Sequence, residues 1–231
     1  EVPRDRLADL LALAMEGRRR VKEQLKKMGS FEYYQTSFSF IDNETREERF
    51  VGVPEEGGRD LISPDPLAPG SAYTACVDNQ GKVGLYRIEV GISVGTGKLK
   101  IAGAMDAAMK DAIQRAFAYL QGHKVNMGIG QALDTLDFHV EAIDLLGNKI
   151  PCEAGVALVV AVYSAIKKRP VLPGLLILGD LSIQGNIKPV LSLAEPLQTA
   201  MDNGARRALI PIENKRNFLD VEAGIIERVD P

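Results

Sequence analysis

Cysteine and histidine are scarce in this chain. Its 231 residues carry two of each, at Cys76, Cys152, His123 and His139. Two thiols are too few for a disulfide framework, and their positions match no metal-binding spacing. Two imidazoles likewise exclude a zinc site of the usual kind. Long apolar runs are missing too: none reaches the roughly 18 residues that a membrane span needs. Neither sign of charge dominates. The formal net charge of −3 gives no overall reason for this piece alone to bind nucleic acid. The N-terminus is charged and helical in pattern rather than basic and then apolar, so no secretory leader is expected and the cytoplasm is the default compartment. The chain begins with Glu1 rather than methionine, and a piece of something longer is expected.

What is present has an ordinary soluble balance. With 45% hydrophobic and 26% charged residues, the chain suits one large domain, or one domain plus a small appendage. Over residues 4–28, Leu7, Leu10, Leu11, Met15, Val21, Leu25 and Met28 recur near the helical period, predicting a helix or two. Gly17 weakens the middle and Gly29-Ser30 ends it. The cations Arg18, Arg19, Arg20, Lys22, Lys26 and Lys27 read as a solvated face; a connector to an upstream domain or a strip touching nucleic acid are the sharper options. Residues 31–53 alternate around Asp42-Asn43 and predict a hairpin. The Pro- and Gly-rich residues 54–71 predict an ordered loop.

Further strands are predicted at 72–78 and 83–94, then a lead-in at 95–103 to a helix at 104–121, with Met105, Met109, Ile113, Phe117 and Leu120 on one face. A strand at 136–144, a loop at 145–152, a buried helix at 153–167 and a buried strand at 171–178 follow. A helix at 192–203, capped by Asn203-Gly204, precedes strands at 206–212 and 225–229. Strands alternating with helices from about residue 83 onward make this an α/β or α+β domain.

Few motifs carry chemistry. Gly95-Thr96-Gly97-Lys98 fails as a phosphate loop, because Ile92 stands where the first Gly belongs and Leu99 where Ser or Thr does. It reads as a turn between strands, and no ATP site is expected in this chain. Cys152-Glu153-Ala154-Gly155 opens a buried helix, where backbone N–H groups and the helix dipole act on a thiol or an anion. A reactive Cys152 would still need a base beside it. The plainer reading packs Cys152 as a small apolar residue and sets Glu153 against the dipole. Asp137, Glu141, Asp144 and Asp180 announce no carboxylate dyad, and Arg206-Arg207 and Lys215-Arg216 read as surface pairs.

The stretch from Asp137 to Pro211 resembles the proteolytic domain of Lon-type ATP-dependent proteases, which are serine–lysine enzymes. Gly179-Asp180 stands for the family's Gly-Glu, Gly185-Asn186-Ile187-Lys188-Pro189-Val190 for its hairpin, and Ile210-Pro211-Ile212-Glu213-Asn214-Lys215-Arg216 for its Ile-Pro-x-Glu-Asn-Lys-Arg. Gly97-x-Leu99 before the helix at 104–121 looks like the family's lead into its first helix, and the likeness covers roughly residues 88–231. Without gaps, Ala154-Gly155 takes the Ala-Gly of the serine motif. Glu153 then holds the nucleophile position, Pro196 the lysine position and Leu178 the threonine position. All three groups needed for catalysis are replaced. A slip of one residue would make Cys152 the nucleophile, with Lys188 or Lys149 as distant candidate bases.

The resemblance therefore implies a Lon proteolytic-domain-like fold with an N-terminal helical connector (1–30), a β-rich extension (31–87) and a Lon-like domain (88–231). The segments 32–58 and 61–74 narrow the likeness to the Lon-related proteins of BREX phage-defence systems. That narrower resemblance implies an upstream AAA+ ATPase region binding ATP and Mg²⁺, a hexameric ring and association with DNA, with no membrane partner. A module for ring assembly without peptidase activity is the leading expectation. An active peptidase with a displaced active site at Cys152, or a peptide-holding module that does not cut, are the alternatives.

Overall fold

The computed structural model describes residues 61–103 and 105–221, with the backbone alone for 218–220 and for the strands Ser37–Ile41 (β1) and Glu48–Gly52 (β2). The helical reading of 4–28, the turn at Asp42-Asn43, the first part of the loop at 54–71 and the strand at 225–229 lie outside the described residues. β1 and β2 pair antiparallel from Ser37 opposite Gly52 to Ile41 opposite Glu48, as the alternation there predicts.

A six-stranded mixed sheet organises the rest. β3 (Ser71–Val77) and β4 (Val83–Val94) form an antiparallel hairpin. Its turn is closed by Asp78, whose carboxylate accepts from the N–H of Gln80 at 2.8 Å and of Lys82 at 2.9 Å. β6 (Leu136–Asp144) runs antiparallel to β4, and β5 (Leu99–Ala102) lies parallel to β6 at that edge. On the other side β7 (Leu175–Ile177) is parallel to β3, and β10 (Arg207–Leu209) is parallel to β7. The order is β10-β7-β3-β4-β6-β5.

Both faces of this sheet are buried, so side chains one residue apart enter different cores. Ala72, Ile88, Val90, Val140, Leu175 and Ile177 point to one core. Tyr73, Ala75, Val83, Leu85, Leu176 and Leu178 point to the other. The first core is covered by α1 (Ala107–His123) and α3 (Gly155–Lys167), with the short α2 (Gly130–Thr135) contributing Leu133. The second is covered by α4 (Ala194–Asp202), through Leu197 and Ala200. α1 starts where Asp106 caps it, its carboxylate accepting from the Met109 N–H at 2.9 Å. α3 ends where Lys168 turns left-handed, at φ 53°. Just ahead of β3, the Gly70 N–H donates to Ser164 Oγ on α3 at 3.0 Å, and that hydroxyl donates to the Arg169 carbonyl at 2.5 Å.

Several boundaries differ from those read off the sequence. The lead-in at 95–103 contains an edge strand, β5, and residues 130–135 form a helix that the hydrophobic pattern does not announce. The strand expected at 171–178 shrinks to Leu175–Ile177, because Pro173-Gly174 turns the chain first. The strand expected at 206–212 ends at Leu209 and gives way to a 3₁₀ helix over Ile212–Asp220. A boundary between residues 87 and 88 falls inside β4, and β3 sits in the middle of the sheet. Residues 71–87 thus belong to the domain's sheet and not to a separate extension.

Candidate functional site

The site is built around a buried carboxylate. A two-residue ladder, β8 (Asp180–Leu181) with β9 (Ile187–Lys188), leaves the end of β7 as a small antiparallel hairpin. Its turn is held by the Gly185 N–H on the Ser182 carbonyl at 3.0 Å and the Asn186 N–H on Ser182 Oγ at 3.0 Å. The register sets Asp180 directly opposite Lys188. Lys188 Nζ donates to Asp180 Oδ2 at 2.8 Å. From α1, Arg115 Nη2 donates to the same oxygen at 2.8 Å and to Glu153 Oε1 at 3.0 Å.

Exposure differs sharply within this quartet. The Asp180 side chain is 3% exposed, whereas Arg115, Lys188 and Glu153 are 29%, 42% and 51% exposed. Burial alone pushes the Asp180 carboxyl upward. Bonds from Lys188, the Leu181 N–H and Arg115 outweigh it and hold the group below its ordinary value. Arg115 moves the other way: its bond to Asp180 raises it, against burial. Each group is thus held toward its charged form by the other.

Gly155 makes this packing possible. A Cβ built there would stand 2.5 Å from Asp180 Oδ1 and 2.9 Å from the Leu181 nitrogen. Only glycine lets the head of α3 close over the carboxylate.

Glu153 lies two residues before α3, with its side chain half in solvent and held by Arg115. Pro196 is buried in the first turn of α4. Leu178 is 2% exposed in the second core, its N–H on the Leu209 carbonyl. Cys152 is 1% exposed and packs in the first core. Burial pushes its thiol well up, and the neighbouring Cys76 side chain pushes it further. Lys188 is committed to Asp180, and Lys149 uses its backbone N–H to bond Asp144 at 2.7 Å. The His139 ring meets Ser93 Oγ at 3.1 Å, and His123 Nδ1 meets the Tyr119 carbonyl at 3.0 Å. The structure therefore brings Glu153, Asp180 and Lys188 into one cluster and leaves Cys152 and Leu178 in the two apolar cores, with Pro196 buried in α4.

Other expected features also find places. Gly95-Thr96-Gly97-Lys98 is the turn between β4 and β5, and Asp137 fills it. The Asp137 Oδ1 accepts from the Thr96 N–H at 2.8 Å and the Lys98 N–H at 3.0 Å, which lowers its pKa. Asp144 organises the loop before Cys152, accepting from the N–H groups of Leu146, Gly147 and Lys149. Asn214, in the Ile-Pro-x-Glu-Asn-Lys-Arg segment, is 1% exposed. Its amide accepts from the Val190 N–H and donates to the Val190 carbonyl, both at 2.9 Å. It ties the 3₁₀ helix to the chain leaving β9.

Arg115 is the member of the cluster that the sequence reading misses. One arginine on an amphipathic helix is indistinguishable from a solvated charge. The available signal was charge balance: with Asp180 opposite Lys188 in the hairpin, Glu153 at the head of the buried helix is a second carboxylate that calls for a further cation.

This fold, a mixed sheet between helices with a hairpin closing on the head of a buried helix, is that of a Lon-type proteolytic domain. The sequence model of the Lon protease (S16) C-terminal proteolytic domain matches residues 68–230, and the chain belongs to that family. Its relatives include a Lon-like protease BrxL of Escherichia coli O9:H4 (strain HS), 36% identical over 219 residues, covering 94% of this chain and 32% of that protein. A Lon-like protease BrxL of Bacillus cereus (strain H3081.97) is 36% identical over 213 residues, covering 92% of the chain and 32% of the relative. A Lon protease of Buchnera aphidicola subsp. Schizaphis graminum is 31% identical over 144 residues, covering 62% and 18%. The chain thus spans 32% of the length of the BrxL relatives it matches. Among the described residues, no helix is long and apolar enough to cross a membrane.

Proposed function

We propose that this domain lacks the peptidase activity of its family and serves as an assembly module in a larger BrxL-like protein. The observation that carries the reading is the partner of Glu153. The side chain at the family's nucleophile position is bonded to Arg115, a guanidinium that cannot take up a proton. Acyl transfer needs a nucleophile with a base in hydrogen-bond reach. Glu153 has a permanent cation instead, and that cation is shared with Asp180. A lysine base from position 196 is replaced by a buried proline.

In this reading the faces of the domain are retained for contacts between copies. The longer protein forms a hexameric ring in the cytoplasm. An AAA+ region outside this sequence binds ATP and Mg²⁺ and drives a DNA-associated phage-defence machine. The relatives named Lon-like protease BrxL, and the share of their length left uncovered, support a further region outside this sequence.

The test uses the full-length protein with ATP, Mg²⁺ and unfolded casein. No cleavage is expected, and light scattering is expected to report a closed oligomer. Casein cleavage lost on Glu153→Ala or Cys152→Ala would overturn the first half of the proposal. A monomer at every concentration would overturn the second.

A peptide-holding role has one observation in its favour. Ile183, Ile187, Leu191 and Ile212 are 61%, 44%, 63% and 80% exposed in and just beyond the β8–β9 hairpin and on the 3₁₀ helix. Exposed apolar side chains of this size suit a bound segment. Fluorescence anisotropy with labelled unfolded peptides tests it, and no binding at any concentration removes it.

A further inference from the structure

The only two cysteines of the chain lie far apart in sequence, yet the fold brings them together. Cys76 is on β3 and points to the same face as Ala72, packing against the core cluster that contains Cys152. The Cys76 side chain is near enough to push the Cys152 thiol further up. Two further observations place Cys76 beside the loop that leads into Cys152. Gly84, opposite Cys76 in the β3–β4 register, leaves the space: a Cβ there would lie 3.3 Å from Cys76 Sγ and 3.1 Å from Ile150 Cβ. Tyr86 then anchors the loop, its hydroxyl donating to the Ile150 carbonyl at 2.5 Å, two residues before Cys152. Both cysteines are free thiols, with Cys76 partly exposed and Cys152 buried.

We propose that Cys76 and Cys152 are a reversible dithiol that closes to an intramolecular disulfide when a peroxide reaches Cys76. The order follows from access. The Cys76 sulfur attacks one peroxide oxygen, the O–O bond breaks, and water leaves, giving a sulfenic acid at Cys76. The Cys152 sulfur attacks that sulfur; the S–O bond breaks, the S–S bond forms, and the Cys152 proton departs with the hydroxide as a second water. One peroxide is reduced to two waters while two thiols are oxidised to one disulfide. Burial keeps Cys152 protonated, so the second step is the slow one. The product would join the central strand β3 to the residue immediately before Glu153. This inference does not depend on whether the domain cleaves peptides.

The experiment treats the folded 231-residue chain with hydrogen peroxide and follows intact mass, with peptide mapping. The expected result is loss of two hydrogens, a linked Cys76–Cys152 peptide, and reversal by dithiothreitol. In Cys152→Ala the reaction is expected to stop at a dimedone-reactive sulfenic acid on Cys76. In Cys76→Ala, Cys152 is expected to stay reduced while the protein is folded, and this variant decides the matter if Cys152→Ala does not fold. Oxygen added to Cys76 of the parent chain with no linked peptide would overturn the proposal. So would links only between molecules, or oxidation of Cys152 in folded Cys76→Ala.

Discussion

Asp180 and Lys188 are cross-strand partners, and their side chains meet at 2.8 Å over the head of α3. One of them is almost wholly buried and the other is partly exposed. That asymmetry sets what each substitution costs. Among the described residues, Arg115→Met removes one of the two cations on a buried carboxylate and the one cation on Glu153. It is expected to cost about 3 kcal/mol, since it leaves a buried charge partly unpaired. Lys188→Met should cost about 1 kcal/mol, because water already screens much of that amine. Removing both should cost more than the sum, as both act on one oxygen. Urea unfolding of the three variants checks all three figures.

Acid should weaken the domain through the same group. The Asp180 carboxyl is held below its ordinary value in the folded state. The stability it contributes is therefore complete above the unfolded-chain value of about 4, and is lost as pH falls through the lower folded value. Asp180→Asn is expected to be less stable at neutral pH but to show a shallower decline on the acid side. Urea midpoints measured between neutral pH and about pH 3 give the two slopes. Equal slopes in parent and variant would contradict the assignment.

Gly155→Ala is a one-methyl test of the site's packing. The added carbon has 2.5 Å to Asp180 Oδ1 and 2.9 Å to a backbone nitrogen, where neither neighbour can yield cheaply. A loss of about 3 kcal/mol is expected, at the upper end for overpacking. Thermal melting should show it, and a variant as stable as the parent would mean that α3 can slide away from the hairpin.

Two left-handed glycines separate strain from crowding. Gly81, at φ 79°, has open space where a Cβ would go; Gly97, at φ 81°, would place it 2.5 Å from the Leu133 carbonyl oxygen. Gly81→Ala should cost about 1 kcal/mol for the backbone alone, and Gly97→Ala about 3 kcal/mol once the clash is added. Paired denaturation curves measure the difference.

Asn214→Ala is expected to cost about 2 kcal/mol, because it strands both the N–H and the carbonyl of Val190. Asn214→Asp should fall between, keeping an acceptor for the N–H while losing the donor to the carbonyl. Urea unfolding ranks the three.

Much of this architecture was legible where pattern and burial agree. β4 and β6 appear at the residues their alternation and length predict, and α3 declares itself by being apolar all round. β5 was hidden because four residues at a sheet edge carry too little alternation to register. α2 was hidden because a six-residue helix offers less than two turns of periodicity. The cluster was only half visible. Glu153, Asp180 and Lys188 could be placed from the family likeness, each by its segment. Arg115 could not, because its meaning comes from which turn of α1 faces the hairpin, and that is decided by three-dimensional packing.

The bond from Gly70 to Ser164 joins the start of the sheet to the far end of α3, whose other end faces the Arg115–Asp180 pair. Displacing the chain at residue 70 along its length would load that helix directly instead of peeling a loop. The hydroxyl has no slack to give, since it is also bonded to Arg169. Residue 70 is thus a mechanical handle on the same helix whose head closes over the ionic cluster.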